Sequence, residues 1–305
     1  MTAPTYLERL AARSSAAGTV LCLGVDPDPT ALPSGFSPNL AGVERFAALL
    51  VEAAGPFAAA IKPNLAFFEA FGSAGLAALE RLRAAIPAGI PVILDAKRGD
   101  IGTTSSRHAA ALFDGLGADA ITVSPYLGEE AIRPLLERLD RFAYVLCRTS
   151  NPGAGELQDL LVAGGSGTPG EPLWSRVAGR VARWGPGGTV GLVVGATAPS
   201  ELEAVRRMAP GLAMLVPGIG VQGGDVEAVL AFGPATDAPA GGRAGGGLLA
   251  NVSRGIASVA VGGRDSNGPR ELGERLAEAA RRWAAELPVL PLPPAERTDS
   301  PRPER

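Results

Sequence analysis

The stretch ILDAKRGDIGTT, residues 93–104, sets Asp95, Lys97 and Asp100 within six positions, directly after an apolar run. Carboxylates on either side of an ammonium hold it charged where water is scarce, and an ammonium so held can protonate a carbanion as it forms. Asp95 and Lys97 are two positions apart, so in an extended strand both side chains leave the same face. If that face is interior, the charges must be paired. At about 4 Å and an effective dielectric near 20, each pair is worth on the order of 4 kcal/mol of Coulomb attraction. Lysine is otherwise almost absent: Lys62 and Lys97 are the only two among 28 basic residues. In a chain that uses arginine wherever charge suffices, a remaining lysine suggests a need for a titratable amine or a compact point charge. Taken alone, Asp-x-Lys also fits a structural ion pair at a strand end.

The elements that must position these groups show in the apolar pattern. Short apolar runs recur as TVLCLGVD (19–26), FAAAIKPN (57–64), IPVILDAK (90–97), ADAITVSP (118–125), FAYVLCRTS (142–150), TVGLVVGA (189–196), LAMLVPGI (212–219) and GLLANVSRG (247–255). Near-continuous hydrophobicity of this kind fits strands buried on both faces, as in a parallel sheet. Between the runs lie amphipathic segments. GVERFAALLVEAAG puts Val43, Phe46, Leu49 and Leu50 on one face, and GLAALERLRAAI and SSRHAAALFDGL repeat the pattern. PRELGERLAEAARRWAAEL (269–287) spaces Leu272, Leu276, Ala280, Trp283 and Leu287 helically. Eight strand-then-helix repeats predict the α/β class and a single (β/α)8 TIM barrel over residues 1–287. A doubly wound open sheet is the alternative, but no G-x-G-x-x-G follows the first strand. Residues 153–170 read as a long loop, and the Gly/Ala/Pro-rich stretch 233–247 is expected to be mobile. The Pro-rich, charged tail 288–305 is expected to be disordered.

In such a barrel, chemistry gathers at the carboxyl ends of the strands. Asp26 ends the first strand, Lys62 the second, and Asp95 and Lys97 the third. Ser150 and Asn151 end the fifth, Gln222 lies in the loop after the seventh, and Arg254 ends the eighth. Polar groups thus collect on one rim. Lys62, on a neighbouring strand end, supplies a second cation, and Asp100 lies in a turn loosened by Gly99.

Composition narrows the classes. The chain has 305 residues, a net charge of −3, 46% apolar and 19% charged residues, the balance of a soluble globular protein with a sizeable core. No basic stripe exists to track a nucleic acid, and no run approaches the ~18 apolar residues of a membrane span. The segment MTAPTYLERLAARSS lacks a signal-peptide apolar core, so a cytoplasmic location is expected. Cys22 and Cys147 sit in apolar runs and read as reduced core thiols. The RGD at 98–100 has the form of an adhesion tripeptide, but it adjoins a predicted buried strand, and the NVS at 251–253 is a sequon by pattern only. A Schiff-base lysine is disfavoured, because two flanking carboxylates raise its pKa. His108, the single histidine, reads as a helix-surface or interface residue, while Tyr126 and Asn64 lie near the rim without an assigned role.

DAKRGDIGTT resembles the D-x-K-x-x-D-I signature of the orotidine 5′-phosphate decarboxylase family. IKPN, TSNPGAGELQ, VPGIGVQGGD and NVSRGI resemble its longer bacterial, type 2 branch, in the family's order from about residue 20 to residue 256. The resemblance implies decarboxylation of orotidine 5′-phosphate to uridine 5′-phosphate in de novo pyrimidine biosynthesis, with no metal or organic cofactor. It implies Lys97 as proton donor to C6, Asp95 beside the substrate carboxylate, and Lys62 hydrogen-bonded to the ribose and holding the carboxylates. It further implies Asp26 on the ribose hydroxyls, Ser150 on the pyrimidine, and Gln222 and Arg254 on the phosphate. The glycine-rich 218–247 region is expected to include a phosphate-gripping loop that orders on binding, a plain flexible insertion being the alternative. A homodimer follows from the same resemblance, Asp100 and Thr104 reaching the partner's site. The related sugar-phosphate decarboxylases and hexulose-phosphate synthases also resemble D-x-K-x-x-D, but they bind Mg²⁺ with an acidic residue at the end of strand two, where this chain has Lys62.

Overall fold

Each of the eight apolar runs forms a strand in the computed structural model, which describes residues 3–164, 169–220, 222–260 and 268–291. The strands are β1 (Leu21–Val25), β2 (Ala60–Pro63), β3 (Ile93–Arg98), β4 (Ala120–Val123) and β5 (Phe142–Arg148), then β8 (Val190–Val194), β9 (Ala213–Val216) and β10 (Leu248–Val252). A two-stranded antiparallel ribbon, β6 (Leu161–Val162) and β7 (Glu171–Pro172), intervenes. The eight pair in parallel in the order β2-β1-β10-β9-β8-β5-β4-β3. Parallel bridges Ile61–Val92 and Asn64–Asp95 bring the two ends of that sheet together, so it curls into a barrel and the open-sheet alternative drops out. Helices cover the outside, among them Leu40–Ala54, Gly72–Ala85, Pro199–Met208 and Gly268–Glu286. Capping is local: Asn39 accepts from the Gly42 amide and Asp225 from the Ala228 amide at two helix starts.

Alternation along each strand divides the core in two. Leu21, Leu23 and Val25 of β1 face the helices, whereas Cys22 faces the barrel axis with Ala60, Ile93, Ala120, Tyr144 and Leu249. The amino end of the barrel is plugged by the helix Tyr6–Ala17, begun by a capping box in which Thr5 and Glu8 satisfy each other's amides. The Tyr6 ring stacks on Phe142 at 4.8 Å, and its hydroxyl lies 3.1 Å from that of Tyr144. Cys22 and Cys147 are free and buried, and burial pushes both thiols up to about 12.

Two of the irregular stretches carry more structure than their composition suggests. Within 153–170 a one-turn helix, Gly155–Gln158, precedes the β6–β7 ribbon, and residues 165–168 lie outside the described residues. Residues 233–247, expected to be mobile, are packed at the amino end of the barrel just before β10. Arg206, 6% exposed, donates to the carbonyls of Phe232, Gly233, Ala209, Pro210 and Leu212. One guanidinium thereby satisfies carbonyls left over at two helix ends. Of the 218–247 region, Gly218, Ile219 and Gln222 line the cleft described below. Beyond Leu287 the chain continues as an edge, with Pro288 bridged to Thr19 and the Val289 amide donating to Gly18. The rest of the predicted tail, 292–305, lies outside the described residues. Among the described residues no helix is long and apolar enough to cross a membrane.

Candidate active site

Two residues further along the strands that supply the inner core, the side chains change character. Ala60 is followed by Lys62, Ile93 by Asp95, Ala120 by Thr122 and Leu249 by Asn251. The period of two puts these polar groups directly above an apolar floor, towards the carboxyl ends of the strands.

Asp95 is the centre of this layer. Lys62 Nζ lies 2.8 Å from its Oδ2, Lys97 Nζ 2.6 Å from its Oδ1, and Thr122 Oγ1 donates to Oδ1 at 2.9 Å. The two ammoniums differ in surroundings: the Lys62 side chain is 5% exposed and that of Lys97 52%. Burial opposes the charge on Lys62, but Asp95 and then Asp26 outweigh it and hold the amine's pKa above its ordinary value. Burial likewise pushes the Asp95 carboxyl up, and the Lys62 and Lys97 ammoniums reverse this and hold it well below the usual carboxylate range. Lys62 and Asp95 are therefore both ionised at neutral pH.

Lys97 reaches this position through an irregular backbone. The β3–β4 ladder runs Ile93–Ala120 and Leu94–Ile121, then shifts to Arg98–Val123. Inside that bulge Lys97 has φ of 45°, the one positive value at a non-glycine position among the described residues. Such a backbone costs an L-residue about 1–2 kcal/mol. The amides freed by the bulge are not lost: those of Ala96 and Lys97 donate to Thr122 Oγ1 at 3.0 and 2.9 Å.

Beside the cluster opens a cleft of about 200 Å³, lined by Asp26, Lys62, Asp95, Gln222, Asn251, Ser253, Arg254 and the segment Pro217–Ile219. Asp26 Oδ1 and Asn251 Oδ1 are buried acceptors with no donor among the described residues. A buried acceptor left unpaired costs about 1–3 kcal/mol, so both are suited to hydroxyl or N–H groups of a bound molecule. Gly24 is required here, because a Cβ on it would stand 1.7 Å from Ser253 Oγ. Arg254 opens a one-turn helix, Arg254–Ala257, which Trp283 Nε1 pins by donating to the Gly255 carbonyl at 3.2 Å. Ser150 is close by: a Cβ on Gly218 would lie 3.0 Å from the Ser150 Cβ and 3.4 Å from Gln222 Oε1. The turn carrying Ser150 is tied down by Gln158, which accepts from the Thr149 amide at 2.9 Å and donates to Thr149 Oγ1 at 2.8 Å.

Asp26, Lys62, Asp95, Gln222 and Arg254 thus line one cleft, Lys97 joins it through Asp95, and Ser150 packs at its edge. Asp100 and Thr104 do not line it. Asp100 accepts from the Ile101 amide at 2.7 Å and forms no ion pair with a described residue, and Thr104 sits in the first turn of the helix Gly102–Ala109. Within one chain the array is Lys–Asp–Lys, without the second carboxylate. His108 is half-buried on that same helix, and Tyr126, 85% exposed, does not face the cleft. Asn64 accepts from the Ala66 amide at 3.3 Å, a local turn. Thr122, Asn251, Ser253 and Gln158 are functional-site residues that the reading of residue types assigns no role. The signal for Thr122 and Asn251 is positional, a polar residue at an inward site of an apolar strand.

A barrel of parallel strands with a Lys–Asp–Lys cluster and a cleft at its carboxyl rim defines a (β/α)8-barrel enzyme. Likeness to known proteins says which. The sequence model of the Orotidine 5′-phosphate decarboxylase / HUMPS family matches residues 19–260, and the chain belongs to that family. It is 43% identical over 270 residues to the orotidine 5′-phosphate decarboxylase of Herpetosiphon aurantiacus, covering 88% of this chain and 95% of that one. With the Halorubrum lacusprofundi protein of the same name it shares 47% identity over 255 residues, 83% of this chain and 87% of the other. The structure of Leishmania donovani OMP decarboxylase is similar at a TM-score of 0.73 and 39% identity, over 92% of this chain and 98% of that chain.

Proposed function

We propose that this chain decarboxylates orotidine 5′-phosphate to uridine 5′-phosphate and CO₂, acting in the cytoplasm in de novo pyrimidine biosynthesis. The observation that carries the reading is the placement of Lys97, an ammonium held 2.6 Å from Asp95 and still half-exposed. The bond from C6 to the carboxylate breaks, CO₂ leaves, and the electron pair stays at C6 in an in-plane orbital that the ring does not delocalise. Lys97 gives its proton to C6, and solvent restores the ammonium. Fixed charges aimed where negative charge develops need no reorganisation during the step, which is the source of their effect. Asp95, ionised and adjacent, disfavours the substrate's own carboxylate in the ground state and holds the Lys97 amine in place.

The remaining cleft suits the rest of the nucleotide. Asp26 and Asn251 offer acceptors to the ribose hydroxyls, and Lys62 stands between Asp26 and Asp95 as a donor. Arg254 and Gln222 suit the phosphate, the guanidinium because its planar fork grips two oxygens. Ser150 meets the pyrimidine. Binding energy from the phosphate, remote from C6, orders the base against the cluster. A homodimer with shared sites is part of the proposal: Asp100 and Thr104 lie outside their own cleft, free to complete the partner's. Cofactor-free chemistry is supported by the donor set, because both Asp95 oxygens already accept hydrogen bonds and Lys62 puts positive charge where a divalent cation needs an acid. The test is to follow orotidine 5′-phosphate absorbance and CO₂ release with the purified full chain in EDTA. Turnover to uridine 5′-phosphate is expected; no turnover with or without added Mg²⁺ removes the activity, and turnover only with Mg²⁺ removes the cofactor-free reading.

A further inference from the structure

We propose that Thr122 is a positioning residue that holds both Asp95 and Lys97 in working geometry, making the hydroxyl on β4 a third member of the charged cluster. What Lys97 does rests on the decarboxylation reading above; where Lys97 stands does not.

A threonine hydroxyl has one proton to donate and two lone pairs to accept with. Thr122 uses all three. It donates to Asp95 Oδ1 at 2.9 Å and accepts from the Ala96 amide at 3.0 Å and the Lys97 amide at 2.9 Å. The residue is 2% exposed, so no water competes for these bonds. The acceptors and donors belong to three consecutive residues, Asp95, Ala96 and Lys97. One hydroxyl therefore fixes a carboxylate orientation and a backbone turn together.

The turn needs such support. At the bulge the β4 ladder skips from Leu94–Ile121 to Arg98–Val123, leaving the intervening amides without carbonyl partners in the ladder. Lys97 has a left-handed φ of 45° that a lysine does not choose. The two N–H···Oγ bonds replace the missing ladder bonds and offset that strain. The Asp95 carboxylate, fixed from the other side by Lys62 at 2.8 Å, then fixes the Lys97 amine. Without the hydroxyl, the bulge has two unpaired amides, one of them buried, and the carboxylate loses its third donor. The backbone then relaxes towards regular strand and takes Lys97 Nζ away from its place. The methyl of Thr122 adds only packing, so serine keeps the function and valine loses it.

The experiment compares Thr122→Val and Thr122→Ser in the full chain, with Thr122→Ala replacing the valine variant if that one does not fold. The valine variant is expected to lower kcat for orotidine 5′-phosphate by about 10²-fold, the size of effect seen when one preorganised donor is removed. KM and the affinity for uridine 5′-phosphate should stay within about threefold, because the phosphate and ribose contacts are untouched. The serine variant should stay within about fivefold of the parent in kcat. A second readout is independent of the substrate. With only two lysines in the chain, ε-¹³C-lysine labelling yields two signals, assigned with Lys97→Arg. The Lys97 signal should shift in the valine variant, more than that of Lys62, and hold in the serine variant. An unchanged Lys97 signal in the valine variant overturns the proposal, as does a serine variant as impaired as the valine one, or a loss shared equally between kcat and KM. If the parent chain releases no CO₂, only the decarboxylation reading falls, and the two lysine signals still decide the role of Thr122.

Discussion

Asp95 Oδ1 and Lys97 Nζ meet at 2.6 Å although only one residue separates them in the chain, and the strand between them is broken to allow it. In a regular strand, side chains at this spacing run side by side, roughly 6–7 Å apart. The bulge and the left-handed Lys97 backbone fold the lysine back over the aspartate. Lys62 completes the arrangement from the interior, so one carboxylate separates a walled-in ammonium from a presented one.

Breaking the interior pair should cost more than removing both partners. Lys62→Met leaves a carboxylate that is 12% exposed with one exposed partner, and an uncompensated buried charge costs about 3–5 kcal/mol. The double replacement Lys62→Met with Asp95→Leu should recover most of that stability while remaining inactive. Urea unfolding of the two variants checks this; a single variant within about 1 kcal/mol of the parent would show that the pair is not a strongly coupled unit.

The pH dependence of stability has a definite sign at each end. Asp95 has a folded pKa below its unfolded one, so its contribution is present above about pH 4 and lost as pH falls towards the lowered value. Lys62 has a raised folded pKa, so its contribution is present up to about pH 10 and lost as pH rises towards the raised value. Asp95→Asn should flatten the acid limb of a Tm-against-pH curve, and Lys62→Met the alkaline limb. Variant and parent curves that run parallel at both ends would refute the assignment.

Arg254→Ala should act chiefly on binding of the phosphorylated substrate. Loss of charge-assisted hydrogen bonds worth about 1.5–3 kcal/mol each should raise KM for orotidine 5′-phosphate about 10- to 10³-fold. Any turnover of the unphosphorylated nucleoside should be alike in parent and variant. Equal losses on nucleotide and nucleoside would place Arg254 elsewhere than on the phosphate.

Shared sites make a prediction for mixtures. Lys97→Ala and Asp100→Ala are each expected to be inactive, yet a mixed dimer contains one site with both residues intact. After unfolding and refolding together, activity near one quarter of the parent's is expected, since half the dimers are mixed and each carries one good site of two. Mixtures as inactive as either variant, with subunit exchange verified, would end the dimer proposal.

Much of this molecule is legible along the chain. A strand buried on both faces has to be apolar throughout, so the eight strands stand out, and their repeat with helices dictates a barrel. Polar groups at strand ends and in the loops that follow them have one rim to occupy in such a barrel, which is why Asp26, Lys62, Asp95, Gln222 and Arg254 come to one cleft. The contacts of the 233–247 stretch are not legible along the chain, because glycine and proline report local freedom, whereas its partners are distant: Gly233 accepts from Arg206, 27 positions earlier, and the Thr236 and Ala240 amides donate to Pro210 and Gly211. Thr122 goes unnoticed for a related reason: in ADAITVSP it is one more β-branched strand residue, and its partners lie 25 to 27 positions away. Residue type and spacing determine which elements form and which face each side chain takes, because both follow from local geometry and burial. The register of β3 on β4, the break in it, and the hydroxyl that fills the break arise only when two strands pair, because their hydrogen bonds join residues that the chain alone does not relate.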